Sequence, residues 1–162
     1  MGQYDQVIKE TQGKIIVPAM KLLPANMSAK KSEAMLLAIG LQESRLHFRK
    51  QIGGPAKGLW QFEKGGGVRG VMTHAQSAGL AKEILGIRGH AQNIDTAYNA
   101  LEHDDILACV FARLLLWTDP YPLPELEQSG RSWNLYLRVW RPGKPHESTW
   151  GSFYDEACKA VA

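Results

Sequence analysis

An unbroken apolar stretch at residues 34–41 restricts the fold more than any other feature of the sequence. It is rich in Ala, Leu and Met, which favour a helix over a strand. Ser28 offers an N-cap in front of it, and the helical pattern continues to about Leu46. Because apolar residues occur on every side of this helix, we expect it to be buried at the centre of the molecule.

Glu43 falls in the last turn of this predicted helix, on the same face as Leu36, Ile39 and Gly40. A carboxylate there loses water and also faces the negative end of the helix dipole. Both effects favour the protonated form, so Glu43 is a candidate proton donor near neutral pH. The alternative is an ordinary surface glutamate at a frayed helix end.

A polar, glycine-rich segment follows the helix. Gly53-Gly54-Pro55 leads into the sequence Gly-Leu-Trp-Gln-Phe at residues 58–62, and three further glycines occupy residues 65–67. Glycine permits positive φ and close approach of a ligand to the backbone. We expect Trp60 and Phe62 to offer flat apolar surfaces to a sugar, while Gln61 supplies both a hydrogen-bond donor and an acceptor.

Two short motifs in this region together resemble the signature of the soluble lytic transglycosylases. They are Glu43-Ser44 and, fifteen residues after the glutamate, Gly58-Leu59-Trp60-Gln61. That family belongs to the lysozyme-like superfamily, which includes goose-type lysozyme, and its usual form is ES followed by GLMQ, so Trp60 replaces the usual Met. The resemblance implies a mainly α, lysozyme-like fold with a buried central helix ending at a catalytic Glu43. It also implies cleavage of the β-1,4 bond between N-acetylmuramic acid and N-acetylglucosamine in bacterial peptidoglycan.

In this interpretation Glu43 is the general acid and base. The residues expected to contact the substrate are Ser44, Gly58, Leu59, Trp60, Gln61, Phe62, Glu63, Tyr136 and Trp140.

Tyr136 and Trp140 are included because of a third signature of the same family, AYNAGPG, whose tyrosine lies near the catalytic glutamate. Residues 97–100 read AYNA, but Leu101-Glu102 follow where a Gly-Pro turn belongs, and the apolar helix expected before the signature comes after it. Residues 139–145 match better by position, with Trp140 in the place of the tyrosine and Tyr136 one turn earlier. The alternative is that Trp140 is a core residue and Tyr98 keeps the family role.

We expect a single domain over residues 1–162, with at most a small β-hairpin between residues 52 and 71. Further helices are predicted on both sides of the central one. They lie at residues 4–23 with a break near Pro18, at 73–78 starting from a Thr73 cap, at 80–85, at 91–101, at 106–117 after Asp104-Asp105, at 133–140 after a Ser132 cap, and from Ser152 onward. Arg113, the one charge in the run 106–117, is expected either to reach a carboxylate near the cleft or to extend to the surface.

Composition limits the partners. The net charge of +3 suits a polyanionic partner such as a bacterial cell envelope, whereas the basic residues are scattered without interleaved aromatic residues, so nucleic acid is not indicated. The five histidines are not at metal-binding spacing, so we expect no metal and no cofactor. Cys109 and Cys158 are expected to be small buried hydrophobic residues.

The first residues carry no recognisable secretion signal, because residues 1–10 are polar and the apolar residues 15–23 are interrupted by Pro18. That apolar segment is also too short for a membrane span, so membrane insertion is not expected. A peptidoglycan-degrading enzyme of this kind would be made in the host bacterial cytoplasm and act at the cell wall or in the periplasm. Delivery would then need a holin or a virion, as for a phage or prophage endolysin.

Three classes of function are compatible with these features. The first is a bacteriolytic glycosidase, either a transglycosylase in which the 6-hydroxyl of the sugar attacks, or a hydrolytic muramidase with Glu63 as second acid. The second is an inactive peptidoglycan-binding or virion structural protein of the same fold. The third, a generic helical binding domain, explains neither the spacing of the two motifs nor a buried helix ending in a glutamate.

Overall fold

The predicted central helix is present in the computed structural model, which describes residues 2–162 and is mainly helical. We number it α3; it spans Lys30–Ser44, and the side chains of residues 34–39 are fully buried. The prediction of a buried central helix is therefore confirmed. The predicted N-cap was wrong, because the helix is preceded by Ala29 rather than Ser28, and the Ser32 hydroxyl accepts a hydrogen bond from the Ala29 amide at 3.0 Å.

The carboxyl end of α3 is a tight reversal that places Glu43 in the last turn. The helix ends at Ser44 rather than at Leu46, because Arg45 and Leu46 adopt left-handed conformations with φ of 58° and 56°. The Leu46 amide donates to the Gly40 carbonyl oxygen at 3.2 Å, which satisfies a carbonyl that the helix leaves open. A Cβ at Gly40 would lie 2.3 Å from Leu46 Cδ2, so this return of the chain requires glycine there.

The amino-terminal segment is helical without the predicted break. Helix α1 spans Asp5–Thr11 and α2 spans Val17–Lys21, and a wide helical turn at Gln12–Ile16 joins them. Pro18 lies in the first turn of α2, where its missing amide proton costs little. A short 3₁₀ turn, Ala25–Met27, then leads towards α3.

The glycines at residues 65–67 are helical. They belong to a wide turn at Lys64–Val68 that continues into α4, Arg69–Thr73. Thr73 therefore ends a helix instead of starting one, and its hydroxyl donates to the Arg69 carbonyl at 2.7 Å. Helices α5, Ala78–Ile87, and α6, Ile94–Ala100, follow, both with bounds that differ from the predicted ones by a few residues.

The last three helices form the second half of the core. Helix α7 spans Asp105–Trp117, and the Asp104 carboxylate caps it by accepting from the Leu107 amide at 3.1 Å, as the acidic residues predicted. Helices α8, Ser129–Trp140, and α9, Glu147–Val161, begin earlier than predicted. Ser132 lies inside α8, where its hydroxyl accepts from Trp150 Nε1 at 2.9 Å instead of capping the helix. Helix α9 packs along α3.

The loop between α3 and α4 contains two antiparallel bridges, Lys50 to Lys57 and Lys57 to Phe62, and the described residues 2–162 contain no strand. The expected hairpin is thus reduced to isolated pairs. No helix within the described residues is both long enough and apolar enough to cross a membrane.

The structure decides the predictions made for Arg113 and for the two cysteines. Arg113 is buried rather than placed at the surface or on a carboxylate, and its Nε donates to the Met27 carbonyl oxygen at 2.7 Å. Burial lowers the pKa of Arg113 to about 10. Cys109 and Cys158 are buried free thiols, as predicted.

Candidate active site

Glu43 is joined to a tyrosine that is distant in sequence. The carboxyl group lies in the last turn of α3 and is only partly exposed, and the hydroxyl of Tyr136 on α8 donates a hydrogen bond to Glu43 Oε2. Tyr136 itself is 3% exposed. The contact therefore links two helices at a point shielded from most of the solvent.

The surroundings of Glu43 raise its pKa to about 7. Burial is the main cause, and the negative charge of nearby Glu63 acts in the same direction, while the hydrogen bond from Tyr136 opposes them. Arg45 follows closely in sequence but does not neutralise the carboxylate, because its Nη1 donates to the carbonyl oxygens of Leu41 and Gln42, each at 2.9 Å. Glu43 can therefore hold a proton near neutral pH and release it to a bound group.

Tyr136 is held in place by the aromatic residues around it. Its ring stacks on Trp150 of α9 with centroids 4.9 Å apart and planes 15° from parallel. Trp150 is in turn fixed by its hydrogen bond to Ser132 of α8. Because α9 also packs along α3, the same three helices position both the carboxyl group and its hydrogen-bond donor.

Ser44 and Trp60 attach the segment 58–62 to the central helix. The Ser44 hydroxyl donates to the Leu59 carbonyl oxygen at 2.6 Å, and Trp60 Nε1 donates to the Leu36 carbonyl oxygen at 2.8 Å. The spacing of the two sequence motifs thus corresponds to direct contacts. Ser44 therefore holds the segment 58–62 in place next to the candidate acid. The spacing between the two motifs is also explained by packing, because both contacts depend on it.

Gly58 and Gln61 shape the turn of this segment. Gly58 has φ of +81°, and a Cβ there would lie 2.7 Å from the Leu101 carbonyl oxygen, so only glycine fits. The Gln61 side chain closes the turn by donating from Nε2 to the Gly58 carbonyl oxygen at 2.9 Å. Its amide is partly exposed and lines the groove described below.

The prediction that Trp60 and Phe62 offer flat surfaces to a sugar was wrong. Trp60 is 0% and Phe62 3% exposed, because their rings fill the core against α3, α7 and α8. Leu59 is also buried, at 1%. These apolar side chains stabilise the loop from beneath. Phe62 also belongs to the wall of the groove described below, but with only 3% of it exposed it offers little surface, so contacts from this segment to a ligand come mainly from its polar groups and its backbone.

An open groove of about 810 Å³ lies between α4 and α8. Its walls include Gln61, Glu63, Gly65, Gly66 and Trp140. Glu43 does not line the groove itself. Glu63 connects the two regions, because it lines the groove and its charge acts on Glu43.

The structure assigns different positions to the three candidate aromatic residues. Tyr136 contacts Glu43, whereas we had expected Trp140 there with Tyr136 as its neighbour. Trp140 instead lines the groove, with Nε1 donating to the Trp60 carbonyl oxygen at 2.9 Å. The Tyr98 hydroxyl donates to the Pro55 carbonyl oxygen, and Lys57 Nζ lies 4.5 Å from its ring, so Tyr98 supports the loop after α3.

A second groove, of about 980 Å³, does not include Glu43, Glu63 or Tyr136 among its walls. The charges in it are largely neutralised: Arg88 and His90 bind Asp104, each at 2.8–2.9 Å, and another arginine binds Asp105. Within residues 2–162 no group of three or more His, Cys, Asp or Glu side chains is arranged to hold a metal ion.

Two basic residues of the first groove, Arg69 and Arg141, were not identified from the sequence. Arg69 follows the glycine run and Arg141 ends α8, but no motif marks either residue. The direct contact of Tyr136 with Glu43 was also missed, since the two residues are 93 positions apart. The only signal was the aromatic face of α8, on which both Tyr136 and Trp140 lie.

Comparison of the chain with protein families, with curated proteins and with solved structures gives no match.

The raised pKa of Glu43 leads to a prediction about stability. Between pH 4.5, the ordinary value, and about 7, the folded protein binds a proton that the unfolded chain releases, so the parent protein loses stability as pH rises through this range. Glu43→Gln carries no charge. Its free energy of unfolding relative to the parent should therefore rise from pH 4.5 to 7 by up to roughly 3 kcal/mol and then stay constant.

Denaturant titrations at several pH values measure this difference. Glu83→Gln, which removes an exposed carboxylate on α5, is the matched control. A constant difference between Glu43→Gln and the parent across the range would show that the Glu43 carboxylate is not penalised by burial.

Proposed function

We propose that this protein cleaves the glycan strands of bacterial peptidoglycan, at the β-1,4 bond between N-acetylmuramic acid and N-acetylglucosamine, with Glu43 as general acid. The observation that carries the proposal is the state of Glu43: a partly buried carboxyl with a pKa of about 7, held by Tyr136. It also lies at the helix end where the resemblance of the Glu-Ser and Gly-Leu-Trp-Gln motifs to the transglycosylase signature implies a catalytic glutamate. A lysozyme-like fold is part of the same proposal.

The hydrogen bond from Tyr136 suggests how the acid works. Tyr136 donates to Oε2, so the proton of the neutral carboxyl resides on Oε1. Burial raises the pKa of Tyr136, so the phenol remains a donor at neutral pH. When Glu43 gives its proton to the glycosidic oxygen, this hydrogen bond stabilises the carboxylate that forms. Glu43 can then remove a proton from the attacking group in the second half of the reaction.

The proposal includes delivery to the cell wall. We propose that the protein reaches peptidoglycan through a holin or as part of a virion, as phage lysis and entry enzymes do. An inactive peptidoglycan-binding protein of the same fold is the competing proposal, and loss of turbidity of outer-membrane-permeabilised bacteria on adding the purified protein separates the two.

Glu43→Gln is expected to remove most lytic activity while leaving the fold intact. The amide is nearly isosteric but cannot donate the required proton, and a positioned general acid contributes roughly 10²–10⁴ in rate. Turbidity loss and zymogram clearing measure the effect, and circular dichroism verifies folding. Leu36→Asp serves as the comparison for a damaged fold, since Leu36 is 0% exposed. A folded Glu43→Gln variant that lyses cells at the parent rate would exclude Glu43 as the acid.

Tyr136→Phe tests the role of the hydrogen bond. Since the bond lowers the pKa of Glu43, its removal should raise that pKa and move the alkaline limb of the pH–activity profile to higher pH, with a lower maximal rate. Tyr98→Phe removes a hydroxyl that bonds to Pro55 and should leave the profile near that of the parent. Trp140→Phe is the third variant; it removes the hydrogen bond to the Trp60 carbonyl oxygen and tests whether Trp140 rather than Tyr136 has the family role. Loss of activity in Tyr98→Phe with an unchanged profile in Tyr136→Phe would assign the family role to Tyr98.

The reaction can proceed by two routes, and we propose the one that needs a single acid. In it the 6-hydroxyl of the sugar attacks, and a 1,6-anhydro product forms without water. The hydrolytic route is favoured by one observation, the position of Glu63 in the groove and near Glu43. Lys64, the neighbour of Glu63 in the sequence, pairs with Asp95 at 3.1 Å.

Mass spectrometry of digested peptidoglycan distinguishes these routes. We expect anhydro products from the parent and from Glu63→Gln, whose activity should persist. Products one water heavier, together with a large loss of rate in Glu63→Gln, would establish a hydrolytic muramidase with Glu63 as its second acid.

A further inference from the structure

Two glycines in the groove between α4 and α8 have no role in packing. Gly65 and Gly66 are helical and have no positive φ, and both are exposed in the groove wall. A Cβ on Gly65 would meet no atom within 4 Å, and one on Gly66 would meet only Glu63 Cβ at 3.9 Å. The neighbouring Gly67 is different, because its Cβ would lie 3.0 Å from the Phe62 ring.

Glycine in a helix costs stability relative to alanine, by roughly 0.5–1 kcal/mol per residue. At Gly40 and Gly58 the fold requires glycine, since a side chain would collide with Leu46 or with the Leu101 backbone. At Gly65 and Gly66 it does not. What these two glycines do provide is a stretch of bare backbone on the groove wall, which an extended ligand can approach closely.

Some basic side chains of the same groove are paired with carboxylates and others are not. Arg138 is already paired with Asp119, through contacts of 3.1 and 2.9 Å. Arg69 and Arg141 form no ion pair within residues 2–162. The Arg141 side chain donates a long hydrogen bond of 3.4 Å to the Arg138 carbonyl oxygen. Two acidic residues also line the groove: Asp119, which is paired with Arg138, and Glu63, whose charge acts on Glu43.

We infer that this groove binds a glycan strand that carries carboxylates, with the strand lying along Gly65 and Gly66 and its acidic groups paired with Arg69 and Arg141. The inference deepens the proposed function and rests on it for the glycan backbone, while the charge of the ligand follows from the groove itself. A free guanidinium group binds a carboxylate through paired hydrogen bonds. A neutral chitin strand offers no such group, so the groove discriminates against it.

Peptidoglycan presents carboxylates from two sources. Intact strands carry them on the peptide stems, whereas strands freed of peptide by an amidase carry them on the lactyl groups of the muramic acid. Chitin has neither. Comparing binding to insoluble intact peptidoglycan, to peptide-free strands immobilised on beads and to chitin therefore identifies which carboxylate, if any, is recognised.

The first test measures binding by co-sedimentation with these three materials, using Glu43→Gln protein so that no substrate is consumed. Adding Arg69→Gln and Arg141→Gln together should raise the dissociation constant for carboxylated strands by roughly tenfold and leave any binding to chitin unchanged. Lys21→Gln with Lys82→Gln is the matched control, because both lysines are exposed, lie outside the groove and change the net charge equally.

The second test fills the groove wall. Gly65→Gln with Gly66→Gln introduces good helix formers whose side chains occupy the groove, so thermal stability should stay at or above the parent value while binding to peptidoglycan weakens by roughly fivefold or more. Gly79→Gln with Gly151→Gln is the matched control, since a Cβ at either of these exposed helical glycines also meets no atom within 4 Å. It should leave binding unchanged.

Each result bears on the inference separately from the proposed function. Equal binding to chitin and to peptidoglycan, no binding to either, or unchanged binding in both the arginine and the glycine variants would overturn the groove assignment. Release of soluble fragments by the parent protein tests the enzymatic proposal alone. Arginine-dependent binding without fragment release would leave the groove as a peptidoglycan-binding site and refute the catalytic function.

Discussion

The hydrogen bonds that fasten residues 58–62 to α3 are the interaction on which the rest of the structure depends. Ser44 binds the Leu59 carbonyl and Trp60 binds the Leu36 carbonyl, at 2.6 and 2.8 Å. Both bonds are buried, where the loss of one partner would leave a polar group without water or a substitute. They bring a loop against the end of the central helix, and the segment that follows this loop, from Glu63 to α4, forms one wall of the groove. Without them the candidate acid would lie at a frayed helix end.

The raised pKa of Glu43 results from a buried carboxylate with only one hydrogen-bond donor and no paired basic side chain within residues 2–162. Burial raises the pKa, and Arg45, the nearest basic residue in sequence, uses its guanidinium to bind the carbonyls at the end of α3. Tyr136 supplies one hydrogen bond, which limits the rise without reversing it. A single neutral donor therefore orients the carboxyl and keeps its pKa near 7, whereas an arginine in the same place would hold it ionised. The stacking of Tyr136 on Trp150 makes this arrangement rigid.

Glycines contribute to this protein in two physically different ways. Gly40 and Gly58 are demanded by the fold, one by the return of Leu46 over the helix and the other by a left-handed turn against Leu101. Gly65 and Gly66 are tolerated by the fold at a cost in stability and leave backbone exposed in the wall of the groove. Gly40 and Gly58 allow the chain to fold around the candidate acid, and Gly65 and Gly66 leave the groove wall without side chains.

The sequence by itself determined the buried helix α3, the place of Glu43 in its last turn and the acidic start of α7, because periodicity and capping are local properties. Only the tertiary structure decided that the Trp60 ring is buried and that Tyr136 rather than Trp140 meets Glu43. An indole can equally cover a core or face a sugar, and the choice depends on whether a buried carbonyl such as that of Leu36 lies within reach of its N–H. Likewise, α8 presents several aromatic residues, and its packing against α9, which in turn packs along α3, selects which of them reaches the carboxyl. Neither quantity is encoded in a short stretch of residues.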